Sequence, residues 1–356
     1  MNGNGPGPHP ATKEEYEGQL RGFEQVTELV EGARTIAVCA HTSPDGDALG
    51  SELAMAEILR ARWGDKEVVT LLADNADVPR IYRFLPGAGQ LVRPDQYDET
   101  PDLFIAVDLS TPHRLGEAQD VLERATHTAC LDHHPCDKPL GDACVVRPSA
   151  AAAGVIVAEF AMYLEVDLTQ SMSQSLMCAL MTDTGRFQYQ NTDAEALETA
   201  SLLVSCGADP SEVSLNVYQS FRLQYLHLKS LVMGRITTFE KGKIAYSYAT
   251  RNDLERTGAD LDECDGLIDV VRSVEGSEVA LFLKMVPGDK VRGNLRAKGD
   301  HDISKVARAM GGGGHRAAAG FTYDGDIDEA LAAVLPHLKR LVCEDSEGAS
   351  AGHEAL

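Results

Sequence analysis

Three short apolar runs of strand character recur in the first half of the chain, Thr35-Ile-Ala-Val-Cys-Ala40, Leu103-Phe-Ile-Ala-Val107 and His127-Thr-Ala-Cys-Leu131, and each stops at a polar residue. Runs of this length bounded by helix-like stretches predict βαβ units and a parallel sheet. Between the first two, Leu49, Leu53, Ala56, Leu59 and Trp63 recur at helical spacing. The apolar segment Leu176–Met181 closes on Asp183, and the helical run Ala194–Val204 ends at Cys206-Gly-Ala-Asp-Pro210, a stop signal. The pattern predicts a first domain over residues 15–206, preceded by a tail over 1–14.

The pattern then changes. Residues 207–233 form a linker in which 211–233, free of Gly and Pro, predict one connecting helix. Beyond it, strands are expected at Arg235–Phe239, Ile244–Ala249, Val279–Lys284 and Val291–Arg296, with helices near 262–274, 302–310 and 326–342. The acidic, small-residue stretch 344–356 is expected to be a disordered tail. The expected fold class is α/β: a parallel-sheet domain joined by a connecting helix to a smaller α/β domain over 234–343, with the active-site cleft between them.

Chemistry collects where the strands stop. His41-Thr-Ser-Pro-Asp45-Gly-Asp47 follows the first run, Asp108 the second and Asp132-His133-His134 the third, while Asp183 ends a helix-like segment. In open parallel sheets, ligands bind at the carboxyl ends of strands, so these clusters converge. His41, Asp45, Asp47, Asp108, His133 and Asp183 bring too many negative charges for one cleft unless cations neutralise them. Oxygen-rich sets with one or two imidazoles favour Mn²⁺ or Mg²⁺ over zinc. Two such ions about 3.5–4 Å apart, bridged by a shared carboxylate, activate water for phosphoester hydrolysis. A single Asp-x-Asp is usually a turn or a cap, and Asp47 could serve its own helix as a cap, as a ligand, or as both. It is the joint pattern that points to metal.

The chain has 356 residues, 44% of them hydrophobic, enough for two domains with sizeable cores. Its formal net charge of −23 argues against holding long duplex nucleic acid by phosphate neutralisation and leaves small anionic substrates compatible. The eight cysteines form no Cys-x-x-Cys pair, and several sit in apolar runs, as expected for reduced thiols in the cytoplasm. Cys136 lies near His133 and His134, but no second nearby thiol supports a zinc site. The opening residues have neither the basic start nor the apolar core of a signal peptide, and no apolar run reaches the roughly 20 residues that span a bilayer.

The second domain carries Arg292, Arg296 and Lys298, followed by Gly311, Gly312, Gly313, Gly314 and His315-Arg316. Consecutive glycines allow backbone N–H groups to approach an anion, which favours a substrate loop over a plain flexible linker because the run is short and embedded.

Together these motifs resemble the DHH/DHHA1 phosphoesterases, and within them the nanoRNase and phosphoadenosine-phosphate phosphatase branch. The likeness covers roughly Ala33 to Thr322. It rests on the segment His41–Ser51, on Val107-Asp-Leu-Ser110 with Arg114-Leu-Gly116, on Asp132–His134, on Thr182–Phe187 with Asn191-Thr192, and on Gly311–His315. The resemblance implies that His41, Asp45 and Asp108 bind one Mn²⁺ and that Asp47, Asp108, His133 and Asp183 bind the other, with Asp108 bridging. It implies a place for His134 near the scissile phosphate, and for Asp132 as a support to the neighbouring histidine. It also nominates Arg292, Arg296, His315, the glycines before it and Arg114 for substrate. Ser43 stands where Asn is frequent and Leu109 where Thr is, and neither removes a ligand. The implied substrates are short RNA oligonucleotides and phosphoadenosine phosphate, with linear or cyclic dinucleotides as the alternative, a non-catalytic nucleotide-binding regulator as the rival from another class, and a homodimer as the implied assembly.

Overall fold

The structure is a computed structural model describing residues 12–264, 266–299, 301–314 and 316–351, with side chains to Cys343. The chain divides into two compact units between Ser220 and Phe221.

The first unit opens with helix α1 (Lys13–Gly32), whose cap Thr12 and Glu15 exchange hydrogen bonds in a capping box. Then come β1 (Thr35–Cys39), α2 (Gly46–Arg62), β2 (Glu67–Leu71), β3 (Leu103–Val107), α3 (Gln119–Arg124), β4 (His127–Asp132), β5 (Ala143–Val146), α4 (Ala153–Tyr163), α5 (Gln170–Asp183), α6 (Ala194–Ser205) and α7 (Pro210–Val213). All five strands are parallel, in the order β2-β1-β3-β4-β5. The sheet grows to one side of β1 and then to the other, so β1 and β3 flank the point where strand order reverses, which is where such sheets leave a crevice. One face of the sheet packs on α1, α2 and α4, and the other on α3 and the loops around Tyr97 and Leu115.

Helix α2 is buried along most of its length. It is wedged against α5 so closely that a Cβ on Gly50 would lie 2.3 Å from the Ser175 carbonyl oxygen, and one on Gly46 2.5 Å from the Thr182 side chain. Only glycine permits that approach, which sets Asp47 of α2 beside the end of α5.

Two expectations change here. Residues 211–233 are not one helix: α7 passes into a π-helical turn (Ser214–Tyr218), and the next helix starts at Leu223. Val213 and Val217 are buried in the first unit's core, and Asp209 and Gln174 exchange hydrogen bonds, so this stretch belongs to that unit. Nor does Asp47 cap its own helix; Asp45 does, accepting from the N–H groups of Asp47 and Ala48.

The second unit contains α8 (Leu223–Gly234), β6 (Thr237–Phe239), β7 (Ile244–Ala249), α9 (Arg251–Thr257), α10 (Leu267–Arg272), β8 (Val279–Val286), β9 (Lys290–Ala297), α11 (Ser304–Ala309), β10 (Gly313–Gly314), β11 (Ala318–Asp324) and α12 (Ile327–Ala351). The mixed sheet runs β10-β11-β9-β8-β7-β6. Leu281, Leu283, Leu295 and Phe321 face α11 and α12, while Ala280 and Phe282 face α8 and α10. Ala318–Asp324 forms strand β11, in which Gly320 and Ala319 pair with β9 and β10. The expected C-terminal tail instead continues α12 to Ala351. Residues 1–11 and 352–356, expected as tails, lie outside the described residues.

Candidate metal centre

The carboxyl edge of the parallel sheet gathers the polar clusters. His41 lies just past β1, Asp108 directly follows β3, Asp132 ends β4 with His133 next, and the packing of α2 on α5 brings in Asp47 and Asp183. Asp108 has φ 55° and Ser43 φ 51°, so two non-glycine residues of these loops sit in the left-handed region. Such backbone collects at functional sites, where surrounding structure enforces it.

Asp108 offers a different oxygen to each histidine: Oδ2 lies 3.2 Å from His41 Nε2 and Oδ1 3.5 Å from His133 Nε2. His133 Nε2 also lies 3.6 Å from Asp47 Oδ2 and 3.8 Å from Asp183 Oδ2. The far ring nitrogens face carbonyls and therefore donate: His41 Nδ1 to Thr42 at 2.9 Å and His133 Nδ1 to Ala150 at 3.1 Å. Both rings thus turn Nε2 and its lone pair towards the carboxylates, as metal-binding histidines do. Potential ligand atoms of His41, Asp45 and Asp108 fall within 4.8 Å of one another, as do those of Asp47, His133 and Asp183, and those of Asp108, His133 and His134. His134 is otherwise engaged, donating from Nδ1 to Asp132 Oδ1 at 2.7 Å and from its backbone N–H to the same oxygen at 3.0 Å.

The electrostatics test whether a cation fits. Asp108 is buried, and its Oδ1 accepts no hydrogen bond. Burial, then the Asp47 charge, pushes its carboxyl well above the usual range. Asp47 is raised as well, by burial and then by Asp183 and Asp45, although it accepts from Ala153, Gly154 and Ser51. Burial would pull His133 down, but Asp183, Asp47 and Asp108 raise it to about 10. Burial lowers His41. Crowded carboxylates held against their own ionisation, with an unsatisfied oxygen among them, are what divalent cations relieve. The donor set fits one or two such ions.

Neighbouring elements steady the set. Asn191 donates from Nδ2 to Asp183 Oδ2 at 3.2 Å and to the Ala151 carbonyl at 2.9 Å. Arg114 accepts the Thr42 N–H through its carbonyl at 2.8 Å, and its charge lowers the pKa values of both His41 and Asp45, so it stands beside the first triad. The residues expected to hold substrate in the second unit lie on and around β9. Arg292 and Arg296 share the β9 face that also carries Asn294, and that face looks onto Gly320: a Cβ there would lie 3.6 Å from both the Arg292 guanidinium and Asn294 Oδ1. Gly311 and Gly312 close α11, donating to the Arg308 and Ala307 carbonyls in a Schellman arrangement, with Gly311 at φ 77°. Their N–H groups are therefore committed to the helix end, while Gly313 and Gly314 form β10. His315 lies outside the described residues.

Residues 35–183 match the DHH family, N-terminal domain, and residues 241–340 the DHHA1 domain. A Thermus thermophilus protein named bifunctional oligoribonuclease and PAP phosphatase NrnA is 31% identical over 338 residues, 94% of this chain and 96% of its own length. The chain belongs to the DHH/DHHA1 family. A Bacillus subtilis protein of the same name is 26% identical over 88% of this chain and 96% of its own. The fold is shared with an exopolyphosphatase-related protein from Bacteroides fragilis, TM-score 0.82 at 22% identity, covering 90% of this chain and 96% of that one.

Sequence reasoning missed the backbone of Ala150–Gly154, which bonds to His133 and Asp47 of the centre. One signal was available: Ala150-Ala-Ala-Ala-Gly154 starts a helix with no Ser, Thr, Asp or Asn at its cap, so the cap must come from elsewhere.

Proposed function

We propose that this protein is a two-metal phosphoesterase that hydrolyses short oligoribonucleotides to mononucleotides and phosphoadenosine phosphate to AMP and phosphate, with Mn²⁺ as its ion. The observation that carries the reading is Asp108, which presents one carboxylate oxygen to each of two histidine–carboxylate groups. His41, Asp45 and Asp108 would hold one ion; Asp47, Asp108, His133 and Asp183 the other. Oxygen and imidazole donors without thiolate suit Mn²⁺ or Mg²⁺. Bound there, such ions supply a nucleophilic water and charge neutralisation at phosphorus.

The chain's own groups do the rest. Asp108 and Asp47 fix the ligand frame through a strained turn and a buried helix end. Asp132 holds His134 by its Nδ1 proton, which directs that imidazole's exchangeable position, Nε2, to the phosphoryl oxygens or the leaving oxygen. As a P–O bond to water forms, the bond to the ribose oxygen breaks and that oxygen takes a proton. Arg114 adds positive charge beside the first triad. Arg292 and Arg296 are the cations we assign to the remote phosphate of a short substrate, which is compatible with a chain whose overall charge disfavours long strands. All eight cysteines are free thiols, which suits a reducing cytoplasm.

The test is hydrolysis of a 5′-labelled RNA ladder, from dinucleotide to long oligomer, with Mn²⁺ or Mg²⁺, alongside phosphoadenosine phosphate and cyclic di-AMP. Cleavage confined to the shortest RNAs and phosphoadenosine phosphate is the expected outcome. Preferred turnover of cyclic di-AMP would reassign the substrate, and turnover of nothing by metal-loaded protein would leave only a nucleotide-binding role.

A further inference from the structure

The segment Ala150–Gly154 contributes no side chain to the centre, yet it makes four hydrogen bonds around one ligand set. The Ala150 carbonyl accepts His133 Nδ1 at 3.1 Å. The Ala151 carbonyl accepts Asn191 Nδ2 at 2.9 Å, and that amide also donates to Asp183 Oδ2 at 3.2 Å. The N–H groups of Ala153 and Gly154 donate to Asp47 Oδ2 and Oδ1 at 2.7 and 3.0 Å. His133, Asp183 and Asp47 are together one of the three ligand groups within 4.8 Å. His41 and Asp45 have no hydrogen bond to this segment among those described.

Helix α4 thus begins without a cap of its own, at Ala152, and takes the Asp47 carboxylate of α2 as its cap. The segment is itself tethered. The Arg147 backbone N–H donates to the Asp132 carbonyl and its carbonyl accepts from Ala150, both at 3.0 Å. The Arg147 guanidinium, 1% exposed, donates to Glu195 at 2.8 Å and Glu159 at 3.0 Å.

We propose that the Ala150–Gly154 backbone, anchored by Arg147, is the positioning element for the second of the two metal sites and not for the first. This rests on the two-metal reading above. Ala153→Pro puts a ring carbon in place of the N–H that holds Asp47 Oδ2, so it breaks that bond and turns the carboxylate away at little cost to the helix. Ala153 is the first helical residue, where proline is tolerated, and Ala152 before it is extended at φ −161°, ψ 157°, as a residue preceding proline must be. Ala153→Val adds its bulk at Cβ, away from the backbone nitrogen, and keeps the N–H.

The experiment titrates Mn²⁺ into full-length parent, Ala153→Pro, Ala153→Val and Arg147→Lys, reading stoichiometry and affinity by free-ion electron paramagnetic resonance, with thermal melts alongside. The parent and Ala153→Val are expected to bind two equivalents alike. In Ala153→Pro one equivalent should weaken about 10- to 100-fold, the range for lost outer-shell partners, while the other stays at the parent affinity. Arg147→Lys should weaken the same equivalent by less, and it carries the test where Ala153→Pro does not fold. Equal, parent-like binding of both ions by Ala153→Pro, or by Arg147→Lys in its place, would overturn the proposal. Parent protein that binds no Mn²⁺ would overturn the metal centre itself and this inference with it, and the two failures are distinguished by the parent's own titration.

Discussion

The first unit buries two polar clusters, and they are built on opposite terms. Around Arg147, every carboxylate has a cation and a neutral donor: the guanidinium meets Glu159 and Glu195, Tyr16 Oη donates to Glu195 at 2.6 Å with its ring 5.3 Å below the guanidinium, and Gln19 donates to Glu159 at 2.8 Å. Around Asp108 no permanent cation is at hand: the carboxylates outnumber the histidines, and a buried carboxylate oxygen is left without a donor. Both are buried, and both stand close to the end of β4 and β5. The Arg147 cluster pairs both of its carboxylates from the chain, although Arg147 Nε and Gln19 Oε1 are left over, and reads as structure, whereas the metal centre needs something the chain does not supply. Carboxylates without a cation from the chain, rather than burial or polarity, separate a binding site from a brace.

Removing one charged group from each cluster should therefore have opposite consequences. Asp108→Asn is expected to lower turnover by about 10⁴-fold, as loss of an integral catalytic group does, and to weaken Mn²⁺ binding. In metal-free protein the same change should raise the melting temperature, because it relieves repulsion. A metal-free melt lower than the parent's would show that Asp108 is a structural anion after all. Arg147→Met should do the reverse, costing about 3–5 kcal/mol in urea unfolding by leaving two glutamates without their cation.

A pH series sharpens the contrast. The Asp47 and Asp108 carboxyls are raised in the folded protein, so their contribution to stability is fully present below the unfolded carboxyl value near pH 4 and is lost as pH rises through their folded values. With EDTA present, the parent should lose stability from about pH 4.5 towards neutrality, and Asp108→Asn should lose less. His133, raised to about 10, keeps its contribution throughout that window. Asp132 is lowered, by His134 against its burial, and changes only below it. Urea midpoints every half unit, with EDTA and with saturating Mn²⁺, give the comparison. Parallel curves for parent and variant would remove Asp108 as the source.

These two clusters were unequally legible. The ligands of the metal centre stand in sequence as Asp and His at the ends of apolar runs, and strand order carries them to one edge with little further information. Asp47 was readable as polar and helix-initial, but which helix it caps depends on α2 meeting α4, a contact between residues over a hundred apart. The Ala150–Gly154 backbone carries no side-chain chemistry to read, and Arg147 looks like any lone arginine until Glu159 and Glu195 are beside it. In the second unit, Ile244–Ala249 appears as a strand within its expected bounds, since its burial follows from its own residues. The glycine run does not sort itself so simply: a Cβ on Gly312 would fall 2.1 Å from the Gly320 carbonyl oxygen, whereas one on Gly313 would meet nothing within 4 Å. Adjacent identical letters thus answer to different constraints, one to sheet packing and one to none visible in the fold.

The smallest expected effect lies at the rim of the Arg147 cluster. Tyr16 is 41% exposed, and its hydroxyl is pushed up to about 12, foremost by its hydrogen bond to Glu195. Tyr16→Phe removes that bond but leaves the Arg147–Glu195 pair and the ring against the guanidinium, so the cost should be about 1 kcal/mol, with Mn²⁺ affinity unchanged. Urea unfolding and a Mn²⁺ titration of the same preparation measure both. A loss of several kcal/mol, or a loosened ion, would mean that the brace depends on its exposed edge as the metal centre depends on its cation, and the two clusters would no longer differ in kind.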